Sequence, residues 1–79
     1  MTTRTAKSVI MPWRPIIGLA EGRAVRLGPG DYWEVTGATV ETRRGARVLL
    51  LHLSPLEPAE VLTGFGEYIE IPPVELEEV

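Results

Sequence analysis

Residues 31–53 decide the fold, and they read DYWEVTGATVETRRGARVLLLHL. Large and polar side chains alternate over residues 31–36, which predicts a β-strand that ends at Gly37. The stretch 38–42 then faces 47–53 across a short turn. The segment therefore predicts a β-hairpin preceded by a separate strand.

The turn of this hairpin is Arg43-Arg44-Gly45-Ala46. Gly45 suits the left-handed position of a type I turn with a G1 bulge. In the second strand Leu49, Leu51 and Leu53 share one face. Because the run 48–51 is apolar on both faces, we expect a central strand that is covered on both sides.

Outside the hairpin the same patterns predict shorter elements. Pro58 at the first turn and Gly64 as a stop favour one or two helical turns. The predicted strands are residues 7–11, 23–27, 67–71 and 75–79. The last is predicted as an edge strand whose glutamates prevent pairing with another strand. The total is five or six short strands.

The chain has 79 residues with no cysteine and one histidine. It is therefore one small domain with neither a disulfide framework nor a thiolate metal site. Asparagine and glutamine are also absent, and seven arginines stand against a single lysine, Lys7. This bias is typical of thermophilic proteins, although a GC-rich genome produces the same composition.

Charge is divided unevenly along the chain. Residues 1–53 hold all eight basic residues and four acidic ones, whereas residues 54–79 hold seven glutamates and no base. The two parts of so small a fold must lie against each other. We expect internal arginine–glutamate compensation, with a polar contact face as the alternative.

Three local cues lie between residues 22 and 76: Gly22-x-x-Val25, Gly30-Asp31, and the closing Pro-Pro-Val-Glu-Leu of residues 72–76. On them, residues 22–79 resemble an SH3-like barrel at the level of the fold. The expected class is all-β, a small, partly open SH3-like barrel of five or six short strands with one short helical turn. An OB-type barrel is the alternative. Neither resemblance transfers a functional residue.

Residues 1–15 are predicted to form an N-terminal arm or extension, and residues 16–79 the barrel domain. The start of the chain lacks the apolar core of a secretory signal, and no window approaches the length of a membrane span. We therefore expect a cytoplasmic protein, or a virion protein if the gene belongs to a phage, without a membrane partner.

His52 is the one side chain whose ordinary pKa range lies near neutrality, so any acid–base proposal starts there. A structural, hydrogen-bonded histidine at a strand end is the stronger interpretation. Ser54 stands before Pro55 and lacks a nucleophile elbow, and the glutamates have no cation-binding spacing. The expectation is a non-enzymatic protein without cofactor or metal.

The leading functional hypothesis is a protein–protein interaction module that serves as an accessory subunit of a larger bacterial or phage assembly. A protein partner or a second copy of the chain would be contacted by Trp13, Arg14, Tyr32 and Trp33. The basic arm would become ordered on the partner.

The alternative is a nucleic-acid-binding barrel that uses Arg43, Arg44 and Arg47 of the hairpin together with the aromatic side chains. The acidic isoelectric point of 5.1 opposes this hypothesis, because phosphate binding depends on a basic surface.

Overall fold

The computed structural model describes residues 4–79, which form one six-stranded sheet. In chain order the strands are β1 (Lys7–Pro12), β2 (Ala24–Arg26), β3 (Tyr32–Arg43), β4 (Ala46–Leu56), β5 (Ile69–Glu70) and β6 (Glu77–Glu78). Across the sheet the order is β5-β2-β3-β4-β1-β6, and every neighbouring pair is antiparallel except β2 with β5. The sheet curls into a half-barrel, so the predicted small all-β barrel-like fold is confirmed.

Helical structure is confined to short pieces. A single turn, α1 (Pro58–Glu60), continues into a π-helical turn over Val61–Phe65, and a 3₁₀ turn covers Pro73–Glu75. The Glu57 backbone N–H donates to the Glu60 side chain at 3.3 Å in a capping box that begins α1. The predicted helical segment is therefore present.

The hairpin turn differs from the predicted type. Arg43 pairs with Ala46, so only Arg44 and Gly45 lie in the loop, and both have positive φ angles, 53° and 78°. These values define a two-residue type I′ turn instead of a type I turn with a G1 bulge. In a two-residue loop the I′ twist matches the right-handed twist of the strands, whereas a type I turn would splay them apart.

The two strands predicted on either side of Gly37 are one continuous strand, β3. The register against β4 shifts between Val35 and Gly37, which leaves Thr36 as the extra residue of a β-bulge. The Thr36 hydroxyl donates to the backbone oxygen of His52 at 3.2 Å. A bulge bends the strand without ending it, so Gly37 marks a bend where a strand end was expected.

The main core lies on the concave face of the curled sheet. The bulge keeps side chains of both halves of β3 on this face, and the predicted shared face of the β4 leucines is confirmed. Its buried members are Val9, Met11, Val25, Leu27, Trp33, Val35, Leu49, Leu51, Leu53 and Ile71.

The convex face is covered only at one end. There the helical segment packs Val61 and Phe65 on Ala24, Tyr32 and Leu56. Farther along β4, Val48 and Leu50 are half-buried and His52 is exposed. The prediction that β4 is covered on both faces is therefore wrong over this stretch, because the helical segment is too short to reach it.

The predicted arm over residues 1–15 is also wrong where it overlaps β1 (Lys7–Pro12). This strand lies between β4 and β6, with Val9 and Met11 buried in the core. Its alternating apolar side chains supply part of the concave face, so it belongs to the barrel. Residues 1–3 of the predicted arm lie outside the described residues.

Candidate functional site

Trp33 is a core residue. Its side chain is 5% exposed, and its indole N–H donates to the Asp31 carboxylate at 2.7 Å. Two cations lie over the ring: the Arg4 guanidinium carbon is 4.8 Å from the ring centroid and the Lys7 ammonium 4.6 Å. The ring is thus buried in the core and does not form an exposed surface for the predicted partner.

Arg4 holds the first described residues against this tryptophan. Its guanidinium donates to the Asp31 carboxylate at 3.0 Å and to the backbone oxygen of Tyr32 at 3.2 Å. It also donates to the backbone oxygen of Leu56. No local sequence pattern predicts this contact, because the partners of Arg4 lie far away in the chain.

Tyr32 lies at the covered end of the convex face. Its ring meets Tyr68 edge to face, with centroids 5.3 Å apart, and Arg26 lies 5.5 Å from the Tyr68 ring. Desolvation lowers the pKa of Arg26, but Glu70 and the two tyrosines outweigh it and leave that pKa raised. Tyr32 is therefore part of an intramolecular aromatic and charged cluster.

Trp13 and Arg14 lie at the other end of the sheet. The Trp13 N–H donates to the backbone oxygen of Arg47 at 3.1 Å, which extends the β1–β4 pairing by one residue. Its ring is 43% exposed, and the Arg47 guanidinium carbon lies 5.8 Å from the ring centroid. Arg14 forms an ion pair with Glu75 at 3.0 Å. The structure thus separates Trp13 and Arg14 from Tyr32 and brings Trp13 to Arg47.

The three hairpin arginines do not share one face. In the β3–β4 register Arg47 is on the concave side with Leu49, whereas Arg43 is on the convex side with Val48. Arg43 contacts Glu41 at 3.3 Å, and Arg44 lies in the turn. Within residues 4–79 neither Arg44 nor Arg47 has an ion-pair partner.

The remaining basic residues are largely neutralised by the acidic part of the chain. Four ion pairs join residues 1–53 to residues 54–79: Lys7–Glu78, Arg14–Glu75, Arg23–Glu67 and Arg26–Glu70. This confirms the predicted arginine–glutamate compensation. Within the described part of the chain, positive charge without a carboxylate partner is therefore concentrated at the hairpin.

Beside these arginines β3 has a free edge over residues 37–43. Of the β3 residues, only Tyr32–Glu34 pair with β2. The last backbone hydrogen bonds on the β2 side of β3 involve Val35, at 2.8 and 2.9 Å. Beyond it no backbone group among residues 4–79 pairs with this side of β3. Val40, in the middle of the edge, is 50% exposed on the concave side.

We call these features together the hairpin end: the β3 edge over 37–43 with the side chains of Trp13, Val40, Arg44 and Arg47.

His52 lies apart from the hairpin end on the convex face. Its Nδ1 is 2.7 Å from the Ser8 hydroxyl across the β1–β4 pair. A Cβ on Gly37 would lie 3.0 Å from the imidazole, so a larger residue at this position would displace the ring. The ring is thus exposed to solvent but hydrogen-bonded, in the way expected for a structural histidine.

Residues 4–79 contain no cluster of three or more histidine, aspartate or glutamate side chains placed to hold a metal ion. None of their helices has the length and apolar character needed to span a bilayer.

Comparison with known proteins finds no matching family model, curated protein or solved structure.

Proposed function

We propose that this protein is a non-enzymatic interaction module that binds a partner protein through the hairpin end. The observation that carries the proposal is the exposed Trp13 ring beside Arg47, at the end of the sheet where β3 has an unpaired edge. Tryptophan and arginine are enriched among the residues that dominate protein interfaces.

Trp13 is positioned before any partner arrives. The hydrogen bond from its backbone N–H to β4 fixes the position of its Cα, and the Arg47 guanidinium lies near its ring. A rotamer that is already restricted loses less entropy on binding, so more of the contact energy is available for affinity. Arg47 can also donate to a partner carboxylate while it remains near the indole.

The test is affinity purification from the native source at low and high salt, with and without nuclease. The variants are Trp13→Ala and Arg47→Gln at the hairpin end. Leu62→Ala is the matched control, because Leu62 is an apolar side chain 78% exposed on the helical segment at the opposite end of the sheet.

We expect a nuclease-resistant protein that is retained by the wild type and by Leu62→Ala. Its recovery should fall at least about tenfold with Trp13→Ala, the loss of about 1.4 kcal/mol from one interface anchor. Equal recovery by all variants would show that any partner binds elsewhere, and the proposal would be wrong.

A nucleic-acid-binding barrel is the second candidate, and the position of Arg47 near Trp13 is the observation that favours it. An exposed indole flanked by arginines resembles the stacking surfaces that bind single strands. The carboxylates of Glu41 and Glu75 close to the arginines, and the net charge of −3, act against it.

Fluorescence anisotropy with labelled oligo-dT separates the two candidates. If the hairpin arginines bind phosphates, the logarithm of affinity should fall with the logarithm of salt with a slope of about −2, for about three phosphate contacts. The triple variant Arg43→Ala/Arg44→Ala/Arg47→Ala should then abolish binding. Absence of binding at low salt would eliminate this candidate.

A further inference from the structure

We infer that the free edge of β3 over residues 37–43 receives an extended, acidic segment of the partner as an additional strand. This inference rests on the proposed function and specifies how the hairpin end binds. It names the backbone groups that would pair and the chemical class of the segment.

The hairpin register shows which backbone groups are available. In a two-residue I′ hairpin the residues flanking the turn, here Arg43 and Ala46, exchange both hydrogen bonds, and bonded pairs then alternate along the strands. The N–H and C=O groups of Ala38, Val40 and Thr42 consequently point away from β4. Three residues at this spacing form the template for one more antiparallel or parallel strand.

The β3 edge differs from the two outer edges of the sheet. Strand β5 has two residues and is followed closely by Pro72 and Pro73, and β6 consists of two glutamates. Short strands, prolines and charges are the usual means of preventing edge pairing. Residues 37–43 contain neither proline nor lysine, and their two charged residues, Glu41 and Arg43, contact each other.

Side chains beside the edge indicate what an added strand must carry. Val40 is half-exposed on the concave side, so a neighbouring apolar residue would bury it by a cross-strand contact. Arg44 lies in the turn at the end of this edge, and Arg47 lies one strand farther in, on β4 near Trp13; neither has a carboxylate partner among residues 4–79. An added strand with acidic residues close to one apolar residue would therefore complement this surface in both charge and apolar character.

A second copy of the chain fits the edge less well. Two β3 edges paired antiparallel about Val40 would place Arg43 opposite Gly37 and Arg44 opposite Thr36, because residue numbers across such a pair have a constant sum. No carboxylate would then face the free arginines directly. The charge pattern therefore favours an acidic partner over self-association.

The experiment uses the full chain and the capped peptide Glu-Val-Glu-Val-Glu-Val-Glu as the probe, with the lysine-for-glutamate peptide as its charge control. Binding is followed by the exchange of backbone amide hydrogens in NMR spectra. We expect the acidic peptide to slow exchange at Ala38, Val40 and Thr42 at least about tenfold, since each outward amide gains a hydrogen bond. The lysine peptide should leave these amides unchanged.

Two pairs of variants test the pairing and the charge. Val40→Pro removes the central outward N–H without removing a donor from the β3–β4 ladder, and Val40→Thr keeps that N–H as its control. Arg44→Asn/Arg47→Gln removes both free charges without a backbone penalty, so it preserves the test if Val40→Pro does not fold. We expect at least about tenfold weaker binding by Val40→Pro and by the double variant, and unchanged binding by Val40→Thr.

Each other result contradicts the inference. Failure of the acidic peptide to protect these amides, or equal protection by the lysine peptide, rules out acidic strand addition. Concentration-dependent protection of the same amides without peptide would assign the edge to a second copy. If a native partner is still lost with Trp13→Ala in these cases, the proposed function stands and only the strand addition is wrong.

Discussion

At the scale of single residues, Arg44 carries a conformational cost that another side chain would avoid. It is the one non-glycine residue with positive φ within residues 4–79, and it precedes Gly45 in a type I′ turn. Asparagine tolerates this conformation better, and Asn-Gly is the preferred pair for such turns. Arg44→Asn should therefore raise the free energy of unfolding by about 0.5 kcal/mol. Urea denaturation measures it, and a destabilised variant would mean that Arg44 has stabilising contacts beyond the turn.

Gly37 presents the opposite case, in which the constraint is a neighbouring ring. A Cβ at this position would approach His52 Cδ2 at 3.0 Å. We expect Gly37→Ala to destabilise the wild type by about 1 kcal/mol. In a His52→Ala background the same change should cost much less, because alanine suits a strand better than glycine. A double-mutant cycle measures this coupling, and additive effects of the two changes would show that the ring moves away freely.

At the scale of elements, Arg4 fastens the start of the chain to the strand ends at Asp31–Tyr32 and Leu56. Arg4→Ala should lower the free energy of unfolding by about 1–2 kcal/mol, since it removes these hydrogen bonds and a cation over Trp33. Arg4→Lys should recover little of this loss, because an ammonium cannot reproduce the planar fork. Thermal unfolding followed by tryptophan fluorescence tests both variants. Full stability of Arg4→Lys would indicate that charge alone matters.

The elements also show how far sequence reasoning extends. Period-two alternation identified the hairpin strands and their buried leucines, because both follow from local side-chain chemistry. The bulge at Thr36 was missed, since one extra residue leaves each half of the pattern intact. Trp33, predicted as a partner contact, packs in the main core, because an alternating pattern does not specify which face of the strand is buried. The meeting of Trp13 with Arg47 likewise required the β1–β4 register.

At the scale of the whole molecule, the division of charge along the chain becomes a set of surface contacts. The acidic C-terminal part pairs with bases of the N-terminal part, and the hairpin arginines remain outside this arrangement. The proposed binding would therefore use charges that the folded structure leaves unpaired. Exposed ion pairs contribute little to stability, whereas arginines that meet an acidic partner contribute both attraction and orientation.

Salt should separate these two roles. We expect the free energy of unfolding to fall by no more than about 1–2 kcal/mol between low salt and about 1 M NaCl. The reason is that the four ion pairs between the two parts of the chain are solvent-exposed and the core is apolar. Partner binding through Arg44 and Arg47 should weaken over the same range by much more than stability does. Thermal unfolding and partner affinity, measured in the same buffers, compare the two. A steep loss of stability with salt would place the ion pairs among the main determinants of the fold. Salt-independent binding would instead assign recognition to Trp13 and the strand edge, with no contribution from the arginines.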